Sequence, residues 1–107
     1  MHVRMARFEG MDVSRIDSDM EDFRKMVRME EAPEGMPEEA FTTLRDNVRR
    51  VMSLVDRDAQ VSIDLMFTDD AESAQKVHEV LDSLSPPDSV GRRTSVGTYE
   101  LMVDEQL

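Results

Sequence analysis

Two short segments of the chain have patterns that are typical of β-strands. The first runs from His2 to Phe8, and the second, from Val61 to Phe67, places an apolar residue at every second position. A side-chain period of two predicts an extended chain with one buried face. Weaker apolar runs predict two further strands, over residues 48–55 and 94–103.

Two other segments carry apolar residues at helical spacing. The first predicts a helix from about Ser14 to Met29, with Ser14 as N-cap and Asp17 completing a capping box. The second predicts a helix that Asp69 caps together with Glu72 and that residues 85–87, Ser-Pro-Pro, stop. The buried stripes are Ile16, Met20, Phe23 and Val27 in the first helix, and Ala74, Val77, Leu81 and Leu84 in the second. The segment Glu38–Asp46 fits either a short helix or a loop.

The order of these elements predicts the fold. A tight turn at residues 56–58, Asp-Arg-Asp, joins the second and third strands as a hairpin. The order strand, helix, strand, strand, helix, strand is the ferredoxin-like βαββαβ arrangement of the α+β class, a four-stranded antiparallel sheet with two helices on one face. At 107 residues we expect one domain, with residues 104–107 as a tail.

The strands are apolar on both faces, which predicts association with a second copy. Phe8 lies opposite Val3 and Met5 in the first strand, and Met66 lies opposite Leu65 in the third. Two helices cover only one face of such a sheet, so a second sheet packed on the other face would bury the remainder. A monomer with scattered exposed apolar residues is the alternative.

Composition narrows the classes of partner and the compartment. The formal net charge of −11 disfavours nucleic acid and anionic membranes, which both require positive charge on the protein. The chain has no cysteine, which excludes disulfides and thiolate metal sites, and it has no apolar segment of signal-peptide or membrane-span length. We therefore expect a cytoplasmic protein without cofactor or bound metal. Ten methionines could line an adaptable ligand cavity or simply fill the core.

Several motifs resemble the dimeric α/β-barrel superfamily, and more narrowly its antibiotic-biosynthesis monooxygenase-like proteins. They are the loop over 33–37, the hairpin over 54–58, residues 85–87 and the segment 91–96. The resemblance implies a homodimer with facing sheets and a cavity between each sheet and its helices. It does not extend to the Asn, Trp and His constellation of the active oxygenases, because the chain has no Trp and its only Asn, Asn47, lies outside the first strand.

Six residues are candidates for a site. His78, on the flank of the second helix, could act as a general base or a haem ligand, or could be a boundary histidine without a role. Arg4 and Asp64 could pair with each other, or Arg4 could bind a carboxylate or phenolate of a ligand. The adjacent Arg92 and Arg93 could grip an anion or neutralise the acidic surface, and Tyr99 could bond a neighbour while its ring fills the core.

These candidates support three functions. The first is a homodimer that binds a small organic ligand between sheet and helices. The second is a cofactor-independent monooxygenase in which His78 or an arginine handles a proton or an anion. The third is a non-catalytic module whose acidic surface docks a basic partner.

Overall fold

Four strands form one antiparallel sheet in the computed structural model, which describes residues 1–28, 35–84 and 88–107. The strands are β1 (His2–Glu9), β2 (Val48–Asp56), β3 (Val61–Thr68) and β4 (Arg92–Glu100), in the spatial order β2-β3-β1-β4. Every neighbouring pair is antiparallel. The α+β class and the four-stranded sheet are confirmed, and the architecture is consistent with a ferredoxin-like fold.

Strand register sorts the side chains onto two faces. Arg4 lies opposite Met66, and Ala6 lies opposite Asp64, so these residues share one face, which we call the helix face. Val3 and Leu65 belong to the other face, which we call the open face. The predicted hairpin between β2 and β3 is present, and Asp56 accepts a hydrogen bond from the Ala59 backbone within its turn.

The last strand differs from its predicted range of 94–103. It begins at Arg92 and ends at Glu100, which lies opposite His2 at the start of β1. Beyond that point the Leu101 amide donates to the Met1 carbonyl. Residues 101–107 form no strand. Their Asp104 lies 3.9 Å from Arg50 of β2, the strand at the opposite edge of the sheet.

Three α-helices are described where two were predicted: α1 (Ile16–Val27), α2 (Glu38–Asn47) and α3 (Ala71–Ser83). The additional helix is α2, in the segment that fitted either a helix or a loop. Pro37 precedes it, and Glu38 and Glu39 lie in its first turn, where negative charge is favourable to the helix dipole. Leu44 of α2 is buried against the sheet.

The predicted caps of the other helices are wrong by a few residues. Asp12, not Ser14, caps a 3₁₀ turn over Val13–Arg15, because its carboxylate accepts from the Ser14 amide, and α1 begins only at Ile16. Asp70, not Asp69, caps α3 by accepting from the Ser73 amide at 2.8 Å. The expected end of the first helix at Met29, the 33–37 loop up to residue 34, and the stop at residues 85–87 lie outside the described residues.

The main core lies between the helix face and the helices, while Val3 and Phe67 are buried on the open face. Leu44, Met66 and Val77 form its buried centre, and Phe23 of α1 and Val51 of β2 pack against it. All three helices therefore contribute to the same side of the sheet. Among the described residues, no helix is both long and apolar enough to cross a membrane.

Candidate functional site

The candidate site begins with Arg4, an arginine buried in the middle of β1 on the helix face. The residue is 5% exposed, and its Nε donates a hydrogen bond to Nδ1 of His78 on α3 at 3.3 Å. Strand alternation turns Arg4 toward α3, and His78 lies on the part of α3 that faces β1. Two of the predicted site residues therefore meet directly.

The hydrogen bond fixes the form of the imidazole. Nδ1 accepts from a guanidinium, so its lone pair is engaged and the ring is the neutral tautomer with its proton on Nε2. In this tautomer His78 offers a donor at Nε2. The pair Arg4–His78 therefore presents N–H groups rather than a free basic nitrogen.

Arg4 has no close counter-ion among the residues that the structure describes. No described carboxylate oxygen lies within 4 Å of its guanidinium, and the expected ion pair with Asp64 is not formed. Burial lowers the pKa of Arg4, and the nearby positive charge of Arg93 lowers it further. A buried cation in this state is a strong attractant for an anion.

Asp64 lies on the same face but is bonded elsewhere. Its carboxylate accepts a 2.7 Å hydrogen bond from the hydroxyl of Ser53 on β2, the residue directly opposite it in the sheet. Burial raises the pKa of Asp64, while the Ser53 hydrogen bond and the charge of Arg4 act in the other direction. The carboxyl group is thus held near Arg4 without neutralising it.

Arg93 reaches the site from the edge strand β4. Its Nη2 donates to Oδ1 of Asp82 at 2.7 Å, which ties β4 to the last turn of α3. The hydrogen bond from Arg93 and its charge lower the pKa of Asp82, with smaller effects from His78 and Arg4. The structure thus brings together four of the six predicted residues, Arg4, Asp64, His78 and Arg93, around the helix face.

The other two predicted residues lie on the opposite face. Arg92 is opposite Glu9 in the sheet, and its side chain is 82% exposed. Tyr99 is opposite Val3 and 54% exposed, and its ring lies over Gly97 of the same strand. The Arg92-Arg93 pair is therefore split between the two faces, and Tyr99 does not fill the core.

Two residues of the cluster were not predicted. Asp82 follows His78 by four positions, so a helical wheel places both on one face of α3. Ser53 lies opposite Asp64, and this register depends on the turn that spans residues 57–60 rather than 56–58. The spacing of Asp82 and His78 was visible in the sequence. The pairing of Ser53 with Asp64 could be predicted only if the length of the turn was known.

An apolar hollow lies on the other side of the core, lined by Met26, Phe41, Leu44 and Met66 among others. Its volume is about 20 Å³, which admits about one water molecule. Pockets for organic ligands begin at about 300 Å³. The hollow is therefore a packing gap at this size, and the candidate site is the polar cluster of Arg4, His78, Asp82 and Arg93, which joins β1 and β4 to α3.

Residues 1–28, 35–84 and 88–107 contain no group of three or more His, Asp or Glu side chains that could hold a metal ion. Comparisons with protein-family models, with curated proteins and with solved structures find no match to this chain.

Proposed function

We propose that this protein binds a small organic acid between the helix face and α3, with the acid group on Arg4. The observation that carries the proposal is the state of Arg4, which is 5% exposed, donates to a neutral His78 and has no described carboxylate within 4 Å. A carboxylate ligand would supply the missing counter-ion and accept from the remaining guanidinium N–H groups. The Nε2 proton of His78 is a further donor for the same anion.

The same hydrogen bond argues against the proton-handling role of His78 in a monooxygenase. A general base needs a free lone pair near the substrate, and the one on Nδ1 is engaged by Arg4. Binding therefore remains the better-supported function. The acidic-module alternative rests on the net charge of −11 and on the small size of the apolar hollow.

The proposal is tested with benzoate as the probe and benzamide as its neutral counterpart, each followed by NMR chemical-shift titration. We expect benzoate to shift the amides around Arg4 and His78 at concentrations up to about 10 mM, and benzamide to shift them far less. Arg4→Met should abolish the benzoate response. Arg57→Met is the matched control, since Arg57 already has a carboxylate partner, Asp17, at 2.9 Å and lies outside the site. No benzoate shifts at the site, or equal shifts in Arg4→Met, would overturn the proposal.

We further propose that two copies pack through their open faces. Leu54 and Tyr99 are half-exposed there, beside partly exposed Met5, Ile63 and Leu65. The strands of this face carry three arginines and two carboxylates, whereas the chain as a whole carries a net charge of −11. The strands of this face therefore repel a second copy less than the net charge of the chain would suggest. The charged residues are Arg7, Glu9, Arg50, Asp56 and Arg92.

Sedimentation velocity tests this arrangement. Leu54→Glu places a charge on the open face and should dissociate the dimer, because two like charges would be buried near the interface. Val55→Glu is the control, since Val55 is the next residue along the strand, is also exposed and lies on the other face. A monomeric wild type at micromolar concentration, or equal effects of both substitutions, would refute the proposed dimer.

A further inference from the structure

Asp82 lies among the three cationic or donor groups of the candidate site. It accepts from Arg93 at 2.7 Å, and its negative charge acts on Arg4 in the direction opposite to that of Arg93. His78 precedes it by one helical turn. A carboxylate of the protein itself therefore already interacts with the positively charged groups that we propose as the binding site for a ligand's acid group.

Asp82 does not stabilise helix α3 at the position where it lies. It lies in the last turn, where the helix dipole is unfavourable to negative charge, and that turn contains no basic residue. Its side chain is 50% exposed, so it is not held by packing. Among the described residues, the contact that holds its carboxylate is the hydrogen bond from Arg93, whose side chain is itself 36% exposed.

We propose that Asp82 is an internal competitor for the ligand's acid group. When the organic acid binds at Arg4, its carboxylate also takes over Arg93, and the Asp82 side chain rotates into solvent. The exchange replaces one charge-assisted hydrogen bond by another and requires no movement of α3. This inference rests on the proposed function and adds two residues to it: Arg93 as a second ligand contact and Asp82 as the group that sets the affinity.

Benzoate titration of matched variants tests the exchange. Asp82→Asn should raise the affinity for benzoate about tenfold, the factor that corresponds to one charge-assisted hydrogen bond. Glu79→Gln is the control, since Glu79 is exposed on the same helix and its substitution changes the net charge equally. That variant should change the affinity less than about twofold, the size of a screened surface charge effect.

A second measurement on the wild-type protein does not depend on any variant folding. Heteronuclear NMR of the arginine side chains should show the Arg93 resonance moving as benzoate saturates the site, because Arg93 exchanges Asp82 for the ligand. An unmoved Arg93 resonance at saturation would overturn the inference.

The outcomes separate the two proposals. If neither wild type nor Asp82→Asn binds benzoate, the proposed function fails, and the competitor role fails with it. If wild type binds and Arg4→Met does not, but Asp82→Asn behaves like Glu79→Gln, the competitor role alone is refuted. A tenfold gain confined to Asp82→Asn, together with a moving Arg93 resonance, supports both.

Discussion

Replacing Arg4 by methionine should make the protein more stable. Arg4 is 5% exposed, and no described carboxylate lies within 4 Å to offset the removal of its charge from water. The effective cost of such burial is several kcal/mol per ion in folded proteins. Methionine has a similar length, no charge and a flexible shape, so it can fill the same space without a cavity.

The expected gain is smaller than the full burial cost. The substitution loses the charge-assisted hydrogen bond to His78, worth about 1.5–3 kcal/mol net. Among the described residues, Nδ1 of His2 is the only side-chain polar atom that is fully buried without a hydrogen-bond partner. The two guanidinium nitrogens of Arg4 that do not bond His78 therefore retain some access to solvent. We therefore expect Arg4→Met to raise the free energy of unfolding by about 1–3 kcal/mol, within the range for replacing buried ions by apolar groups.

Urea unfolding followed by circular dichroism at neutral pH measures the effect. The control is Arg57→Met, which removes an exposed ion pair at 2.9 Å and should lower stability by at most about 1 kcal/mol. Because association couples to stability, both variants are compared with wild type at the same protein concentrations. A loss of stability in Arg4→Met larger than that of the control would mean that the guanidinium holds the fold together, and the reasoning for an anion site would be refuted.

Three further predictions concern the core, the backbone and a carboxyl group. Leu44→Ala should lower the free energy of unfolding by about 2–5 kcal/mol in urea, since Leu44 is 4% exposed, and a change below about 1 kcal/mol would mean that α2 is not docked. Gly91→Ala should cost more than Gly10→Ala in thermal unfolding: both have positive φ, a strain of about 1–3 kcal/mol, but only at Gly91 would a Cβ collide with the Glu9 backbone. Equal costs would contradict that contact. Burial raises the pKa of Asp64 above the ordinary value of 3.8 for an aspartate, so folding stability falls as the pH rises from 3.8 through the raised pKa. We expect Asp64→Asn to be more stable than wild type at neutral pH and to lose this advantage below pH 3.8. A gain in stability that does not depend on pH would be contrary evidence.

Strand alternation made the faces of β1 and β3 predictable from the sequence. A period of two puts Asp64 and Met66 of β3 on one face and Arg4 and Ala6 of β1 on one face, and the observed register of the two strands brings both sets to the same face of the sheet. Helix caps were less certain, because Asp69 with Glu72 and Asp70 with Ser73 have the same spacing. Only the backbone geometry decides that Asp70 accepts the hydrogen bond.

Helix α2 was ambiguous for a physical reason. Its ten residues present few apolar positions, and Phe41 and Leu44 alone do not define a stripe over several turns. A short helix of this kind is stabilised mainly by packing, here by the contact of Leu44 with Met66 and Val77. Such a contact joins distant parts of the chain, so no local pattern reveals it.

The position of Arg93 depends on an irregularity that no sequence pattern indicated. Ser95 lies opposite Arg7, whereas Arg93 lies opposite Phe8, so Thr94 is an extra residue in β4. Regular pairing would place Thr94 opposite Phe8 and turn Arg93 to the open face. The bulge instead turns Arg93 to the helix face, where it meets Asp82. Bulges that redirect a side chain are common beside functional sites. In this protein the bulge brings a second guanidinium to the face that already holds Arg4, which has no described carboxylate within 4 Å. The charge of Arg93 lowers the pKa of Arg4, while Asp82 and Asp64 act in the opposite direction, so the proposed acid group would have to compete with carboxylates that the protein already places there.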